Sequence, residues 1–344
     1  MDIFLEHGIE DVRAVDPNRD YWFIRSYGGE LFDTFFNNSF VGLGLNNVPY
    51  KLILDSADPK KDAFKDLQRF IDNNTEYTKG EATKWANQLL NFEYGVKIND
   101  IVITPSRNSD ILAIGIVESN TYLDKNPGAF KFNGRYEALP EKRKKVNWIK
   151  TFKKEVLQAE IRGLLSSHQA VTNARSYSEI IEGNLSSVYI KGERIYLTIQ
   201  INQDEDINAF ELNRFLSSLT FFYDEFCKEN GFKNNEDLYI KIKLQSRGKM
   251  ALQAGAIGAI MGIAGLMVLS NNNELSVEIE NVGKVSGKGD GFLESVSDFL
   301  DRNQERQIKY EIFKDSMERL KVKPIEETTI QTSTPVDTTY QKNN

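Results

Sequence analysis

A long uncharged segment in the C-terminal half is the strongest constraint on the fold. Residues 250–273, MALQAGAIGAIMGIAGLMVLSNNN, form 24 consecutive residues without a charged side chain. A helix rises ~1.5 Å per residue, so its apolar part reaches about 30 Å, the thickness of a bilayer core. We therefore predict a hydrophobic helix over residues 250–270 that spans or contacts a membrane, with the larger N-terminal part of the chain on the cytoplasmic side.

Four glycines lie along one face of this predicted helix, where copies of the helix could approach closely. They are Gly255, Gly258, Gly262 and Gly265. The alternative is a glycine-rich helix buried in a soluble domain. Segments 194–202, 238–245 and 275–281 alternate apolar and polar residues and predict strands, and a sheet containing all three prevents the connecting helix from crossing a membrane. The two interpretations exclude each other, and the sequence leaves both open.

Composition argues against several kinds of chemistry. The 344 residues include 43 lysines and arginines against 50 aspartates and glutamates, a formal charge of −7. Any nucleic-acid site on such an acidic chain must be local. Cys227 is the only cysteine, and the two histidines, His7 and His168, share no metal-ligand spacing. We therefore expect no metal site and no cofactor.

The patterns predict an α+β protein with two domains. The N-terminus has no basic region ahead of an apolar one, so we expect no secretory signal. The predicted organisation is an N-terminal extension (1–19), a β-rich domain (20–172), a second α+β domain with the hydrophobic helix (176–322) and a disordered tail (323–344). In the second domain, an aromatic-striped helix ends at Gly231, and a long charged surface helix covers residues 292–320.

Strand and helix signals alternate in the first domain. Strands are predicted over residues 21–25, 40–45, 98–104 and 111–118, the last two as a hairpin. One helix begins at Asp58–Pro59, and a second follows the capping-box pair Thr78 and Glu81. Residues 142–154 hold seven basic residues and no acidic one, which reverses the charge balance of the chain locally.

Three stretches of this domain carry a recognisable order of strand motifs: YWFIRSYGGELFDTFFNNSFVGLG, QLLNFEYGVKINDIVITPSRNSDILAIGIVESNTY and RKKVNWIKTF. Together they resemble the PUA/EVE-like module that precedes nuclease cores in Mrr-like and other modification-dependent restriction proteins. Leu45 replaces an aromatic residue often found in that family, and Asn99 replaces its usual glycine. The resemblance covers residues 20–170 and implies a small β-barrel that reads a base, often a modified one, flipped into an aromatic pocket.

The resemblance also implies roles for individual side chains. Stacking faces for the base would come from Trp22, Phe40, Trp85 and Trp148. Arg25 and Arg107 would contact a phosphate or a base edge. Further phosphate contacts would come from Lys142, Arg143, Lys144 and Lys145. The alternative is a core position for the aromatic residues and an ordinary solvated face for the basic run.

No nuclease motif accompanies the module. Residues 239–243 lack the carboxylate of the Asp…Glu-x-Lys set that holds Mg²⁺ beside a scissile phosphate. The stretch from Gly283 is one residue short of a P-loop, and no serine lies in a G-x-S-x-G elbow. We therefore expect no enzymatic activity.

The sequence thus predicts a prokaryotic antiviral defence protein that senses nucleic acid or a modified base through its first domain. Its second domain would signal, through membrane contact or a protein partner encoded nearby, or through self-association. The expected location is the cytoplasm or the inner face of the cell membrane. The alternative is a soluble DNA-binding subunit of a restriction system whose nuclease is a separate chain.

Overall fold

Two compact units make up the chain in the computed structural model, which describes residues 12–56, 62–154, 161–203, 206–232, 237–242, 248–270 and 290–324. The N-terminal unit is Arg19–Ser178. The C-terminal unit begins at Glu179 and also includes residues 12–18, among them the first strand, β1 (Arg13–Val15). Both units mix α and β structure, and the described residues contain ten α-helices.

The N-terminal unit is built on a curled half-barrel sheet. Its strands are β2 (Tyr21–Ile24), β3 (Phe40–Leu43), β4 (Ile101–Pro105), β5 (Ile111–Val117), β6 (Tyr122–Leu123), β7 (Ala129–Phe132), β8 (Arg135–Ala138), β9 (Lys142–Lys153) and β10 (Val171–Asn173). Its helices are α1 (Phe32–Asn37), α2 (Tyr50–Asp55), α3 (Ala63–Asn74), α4 (Lys79–Leu90) and α5 (Arg162–Leu165). The main sheet has the order β10-β2-β4-β5-β9-β3, with β6 also paired to β9, and β7 and β8 form a separate two-stranded sheet.

The long strand β9 produces the curl. Its first four residues pair with β3 and the rest pair with β5, so the strand turns from one partner to the other. The register shifts between Ile114 and Gly115, the mark of a β-bulge, which bends a strand and increases its twist. Gly115 is required at this bend, because a Cβ there would lie 2.4 Å from the side chain of Val146.

Apolar faces of the helices close the inner side of this sheet. The predicted hairpin is confirmed as β4 and β5, and both strands consist mostly of buried residues. Helix α4 starts at a complete capping box between Thr78 and Glu81, as predicted. Helix α3 begins after Asp62, and the predicted start at Asp58–Pro59 lies outside the described residues.

The C-terminal unit consists of one sheet covered by helices. Its further strands are β11 (Val188–Lys191), β12 (Arg194–Ile201), β13 (Leu238–Ile242), β14 (Gly248–Ala254) and β15 (Val322–Pro324), and its helices are α6 (Ser178–Leu185), α7 (Ala209–Glu229), α8 (Ile257–Ser270), α9 (Asp290–Asp301) and α10 (Gln304–Arg319). The strand order is β1-β11-β12-β14-β13, with β15 also paired to β12. β1 runs parallel to β11, and the other pairs are antiparallel. Side chains from β12, β14, α7 and α8 form one continuous apolar core.

The uncharged run does not form a membrane helix, and this prediction is wrong. Residues 248–254 form β14, whose side chains alternate between buried and partly buried, and α8 has only 14 residues. At ~1.5 Å per residue α8 is about 21 Å long, too short for a bilayer core. Among the described residues, no helix is long and apolar enough to cross a membrane.

The glycines of this run instead allow close packing inside the unit. A Cβ on Gly262 would lie 2.6 Å from the ring of Phe226, and a Cβ on Gly265 would lie 2.8 Å from Val296. Gly258 is buried in α8, whereas Gly255 is exposed in the turn before it. The chain therefore fills the glycine face with its own aromatic and aliphatic side chains.

Three other predicted segments lie in the second half of the chain. The charged segment 292–320 forms two helices, α9 and α10, because Asn303 caps a new helix by accepting a hydrogen bond from the backbone of Glu305. The predicted strand 275–281 lies outside the described residues. The disordered tail predicted over 323–344 starts too early, because residues 323 and 324 belong to β15 and pair with β12, and the rest of it lies outside the described residues.

Candidate functional site

A pocket of about 840 Å³ opens in the N-terminal unit. Its volume is within the range of small-ligand sites in proteins. The lining residues come from the start of the unit, from β3, from α4 and the segment just before it, from the β7–β8 hairpin and from the segment before β10. They are Arg25, Tyr27, Gly28, Leu43, Tyr77, Glu81, Lys84, Trp85, Gln88, Phe132, Glu137, Ser166, Ser167, His168, Gln169 and Ala170.

Tyr77 and Trp85 form an aromatic wall of the pocket. Their rings are stacked, with centroids 5.8 Å apart and planes 27° from parallel. Tyr77 directly precedes the capping box of α4, and Trp85 lies on that helix, so the helix start fixes their relative position. Burial and the nearby Glu81 carboxylate raise the pKa of the Tyr77 phenol, which keeps the hydroxyl protonated and able to donate a hydrogen bond.

Tyr27 contributes a third aromatic ring. Its backbone has a φ of 55°, in the left-handed region that non-glycine residues seldom adopt, so the surrounding structure holds it in a strained conformation. Its hydroxyl lies against Gly44, where a Cβ would be 2.0 Å from the oxygen. This contact explains why position 44, just after β3, is a glycine. Burial, and then the Glu137 carboxylate, raise the pKa of Tyr27 far above its usual range.

Arg25 and Gln88 hold the polar segment 166–170, which lines another part of the pocket. The Arg25 guanidinium donates to the carbonyls of Ser167 at 2.7 Å and Leu165 at 2.8 Å. The Gln88 side-chain oxygen accepts from the backbone N–H groups of Ala170 and Val171. Burial lowers the pKa of Arg25. Because its donors contact carbonyls of the protein, Arg25 orders this segment and presents the side chain of His168 at the pocket.

The other predicted aromatic residues do not line the pocket. Trp22 is buried, and its indole donates a hydrogen bond to Asp100. Phe40 is buried beneath the guanidinium of Arg143, 4.3 Å from the ring centroid. Trp148 is partly buried and donates to the carbonyl of Phe35 at 3.1 Å. Of the four aromatic candidates, only Trp85 lines the pocket.

The basic run does not form the exposed phosphate-binding face that the sequence suggests. Lys142 is buried and donates to the carbonyl of Leu45 at 2.8 Å. Arg143 is buried and pairs with Asp124. Lys144 is buried, with its ammonium 5.6 Å from the ring centroid of Phe92. Of these four residues, Lys145 alone is exposed. The charges of the run thus serve mainly to anchor β9.

Arg107 remains accessible but lies outside the set of lining residues. Its side chain is 77% exposed, and its guanidinium is 4.0 Å from the Glu30 carboxylate. The turn that carries it packs against Gly29, where a Cβ would lie 2.1 Å from the Arg107 backbone nitrogen. Gly28, the neighbour of Gly29, lines the pocket. Arg107 therefore lies near the pocket in space but is not part of its wall.

Sequence reasoning missed most of the pocket, including Tyr27, Tyr77, Phe132 and His168. One signal was available: Tyr27 precedes two glycines, a context that permits an unusual backbone. The other residues come from separate segments, and no local pattern links them. Among the described residues there is also no group of three His, Cys, Asp or Glu side chains that could hold a metal ion.

Residues 26–173 are similar to a family described as a domain of unknown function, DUF8426. No curated protein and no solved structure matches the chain. The matched span lies within the N-terminal unit and contains every lining residue of the pocket except Arg25. The pocket is therefore a feature of the segment that is similar to this family.

Proposed function

We propose that the N-terminal unit is a PUA/EVE-like reader that binds a single nucleobase of a nucleic acid in the pocket. The observation that carries this proposal is the pair of stacked rings, Tyr77 and Trp85, beside a polar segment in one pocket. A planar heterocycle needs both features: an aromatic face for stacking and polar groups at its edge for hydrogen bonds. The curled half-barrel sheet and the resemblance of its strand motifs support the same assignment.

The charges of the pocket favour a neutral ring over a phosphate. Glu81 and Glu137 line it, and both carboxylates act on the Tyr77 hydroxyl. A phosphate beside them would be repelled. The two basic lining residues would offer little compensation. The Arg25 guanidinium already donates to two carbonyls, and the charge of Lys84 acts on the Glu81 carboxylate. The base would therefore enter the pocket while the phosphodiester backbone stays outside.

The strength of base stacking predicts how much affinity is lost when a stacking ring is removed. Base–aromatic stacking contributes about 1–3 kcal/mol per base, so loss of the Trp85 ring should weaken binding roughly 5-fold to 150-fold. Binding of the full chain to single-stranded and duplex oligonucleotides, with unmodified, 5-substituted or N-methylated bases, can be measured by fluorescence anisotropy at low salt. Trp85→Ala should lose affinity by this factor, and Trp85→Phe should retain part of it.

Tyr136→Ala is the matched control. This aromatic residue is 82% exposed on β8 and does not line the pocket, so its replacement should leave affinity unchanged. Circular dichroism would establish that each variant is folded. If the unchanged chain binds none of the oligonucleotides at low salt, or if Tyr136→Ala weakens binding as much as Trp85→Ala, the proposal fails.

A further inference from the structure

The β7–β8 hairpin is separate from the main sheet of the N-terminal unit. It forms its own two-stranded sheet, joined by the turn at Asn133 and Gly134, which both have positive φ. All four residues of β8 are exposed. Hairpins of two strands are marginally stable in water unless they pack on something else.

Both ends of the hairpin are anchored. The backbone of Leu139 donates to the carbonyl of Gly128 at 3.0 Å, which closes the base of the hairpin. The Leu139 carbonyl accepts from Asn46 at 2.9 Å, and the Pro127 carbonyl accepts from Arg143 at 3.2 Å. Gly128 itself has a φ of 77°, a conformation suited to a pivot.

The body of the hairpin, residues 129–138, is held by side-chain contacts. Phe130 and Phe132 contact the ring of Tyr27 edge-on, with centroid distances of 5.4 Å and 5.9 Å. Among the described contacts, no backbone hydrogen bond joins residues 129–138 to another strand of the unit. Phe130 also packs against the apolar core of the unit. Side-chain packing, mainly on the strained Tyr27, therefore holds the body in place without a backbone hydrogen bond to another strand.

This body forms part of the pocket. Phe132 and Glu137 line it together with Tyr27. If the aromatic contacts on Tyr27 separate, the pocket loses these residues while the anchored base stays in place.

We propose that the β7–β8 hairpin is a movable lid on the pocket, with Gly128 as its pivot and Phe132 as the ring that closes on the bound ligand. The identity of that ligand rests on the proposed function, but the movement of the lid does not. Opening would admit a planar ligand, and closure would place Phe132 beside it and restore the contacts with Tyr27.

A labelling experiment on the full chain tests the lid without any ligand. Leu43 lines the pocket but is only 2% exposed, so alkylation of Leu43→Cys by iodoacetamide requires opening. The native Cys227 is buried in the core of the C-terminal unit and reports unfolding there. Adding Phe130→Ala and Phe132→Ala should speed alkylation about 10-fold or more, since these contacts hold the lid.

Val41→Cys is the matched control for the labelling experiment. Val41 lies on the same strand, is fully buried and does not line the pocket. Its alkylation should not change when the two phenylalanines are replaced. Equal acceleration at both positions would mean that the phenylalanines stabilise the sheet as a whole, and no acceleration at Leu43→Cys would mean that the hairpin does not gate the pocket. Either result overturns the proposal.

Hydrogen exchange on the unmodified chain gives a second test that needs no variant. Amides of residues 129–138 should exchange roughly 100-fold faster than those of β5, because a lid opens without opening the sheet. Equal protection of the two segments would rule out the lid. A failure of oligonucleotide binding would instead overturn the proposed function and leave both of these measurements interpretable.

Discussion

The indole nitrogen of Trp22 donates a 3.0 Å hydrogen bond to the carboxylate of Asp100, and both residues are buried. The same carboxylate accepts from the backbone of Asp20 at 3.0 Å and of Lys97 at 2.8 Å. Asp100 thus joins the start of β2 to the turn before β4. Asp100 is therefore a structural residue, and Trp22 is one of its partners.

Replacing Asp100 should therefore destabilise the N-terminal unit. In Asp100→Ala, three donors lose their acceptor, and leaving a buried donor unpaired costs about 1–3 kcal/mol. Urea unfolding followed by circular dichroism should show a loss of at least this size. The exposed Asp110 lies in the hairpin turn, and Asp110→Ala should change stability by less than about 0.5 kcal/mol. Similar losses in the two variants would contradict this account of Asp100.

Gly262 should not tolerate even one added methyl group. The ring of Phe226 occupies the position of the missing Cβ, so Gly262→Ala should cost about 1–3 kcal/mol through overpacking, despite the better helix propensity of alanine. Thermal unfolding of the full chain measures this effect. In Gly291→Ala, the added Cβ meets no atom within 4 Å, and this variant should be neutral or slightly stabilised. A neutral Gly262→Ala would show that α8 is not packed on α7 as described.

Lys142 should make the free energy of unfolding depend on pH in the alkaline range. Burial lowers its pKa to about 8, whereas a lysine in the unfolded chain titrates near about 10.4. Between these pH values the unfolded chain binds more protons than the folded chain, so the free energy of unfolding should rise with pH, by about 1–3 kcal/mol.

Lys142→Met should remove the part of this rise that Lys142 contributes, because methionine has no proton to lose. Lys144, whose pKa is also lowered by burial, should keep its own part. Lys145→Met, which replaces the exposed neighbour, should retain the whole rise. Urea unfolding at about pH 8 and about pH 10 tests both variants. If the unchanged chain and Lys142→Met show the same pH dependence, the ammonium group is not desolvated as the structure indicates.

The pKa of Glu81 should depend on its capping partner, Thr78. The backbone and the hydroxyl of Thr78 both donate to its carboxylate at 2.8 Å and lower its pKa. A lowered carboxylate pKa stabilises the folded state above the unfolded-state pKa, and this contribution is lost as pH falls through the folded-state pKa. Thr78→Val removes the hydroxyl donor and should move the pKa of Glu81 upward, measured by NMR titration. Thr75→Val, whose hydroxyl bonds to Ile71 instead, should leave that pKa unchanged.

Local signals predicted much of the fold correctly. The capping box at Thr78, the hairpin of β4 and β5 and the apolar stripe of α7 depend on residues close in sequence, and all three are present. The structure of the uncharged run was harder to predict, because a mostly apolar sequence gives little periodicity to distinguish a strand from a helix. Only its first part, Met250, Leu252 and Ala254, carries the alternation of a strand, and these side chains face the core.

The pocket could not be predicted in the same way. The sequence proposes both Trp22 and Trp85 as stacking residues and gives Trp85 the stronger case for a core position. In the structure, Trp22 is buried with its indole bonded to Asp100, whereas Trp85 stacks on Tyr77 at the pocket. The burial of most of the residues 142–145 was not predictable for a related reason. A charge pattern does not show whether carbonyls and carboxylates of other segments, such as Leu45 and Asp124, will surround it.

The parallel pairing of β1 with β11 also determines the order in which the protein can be built on the ribosome. The chain leaves the C-terminal unit after Asn18, completes the whole N-terminal unit and returns at Glu179. The N-terminal unit is thus contiguous and can fold while synthesis continues, whereas β1 must wait for β11 to emerge. Genetic removal of the inserted unit would be a single internal deletion, but removal of the C-terminal unit would require two cuts.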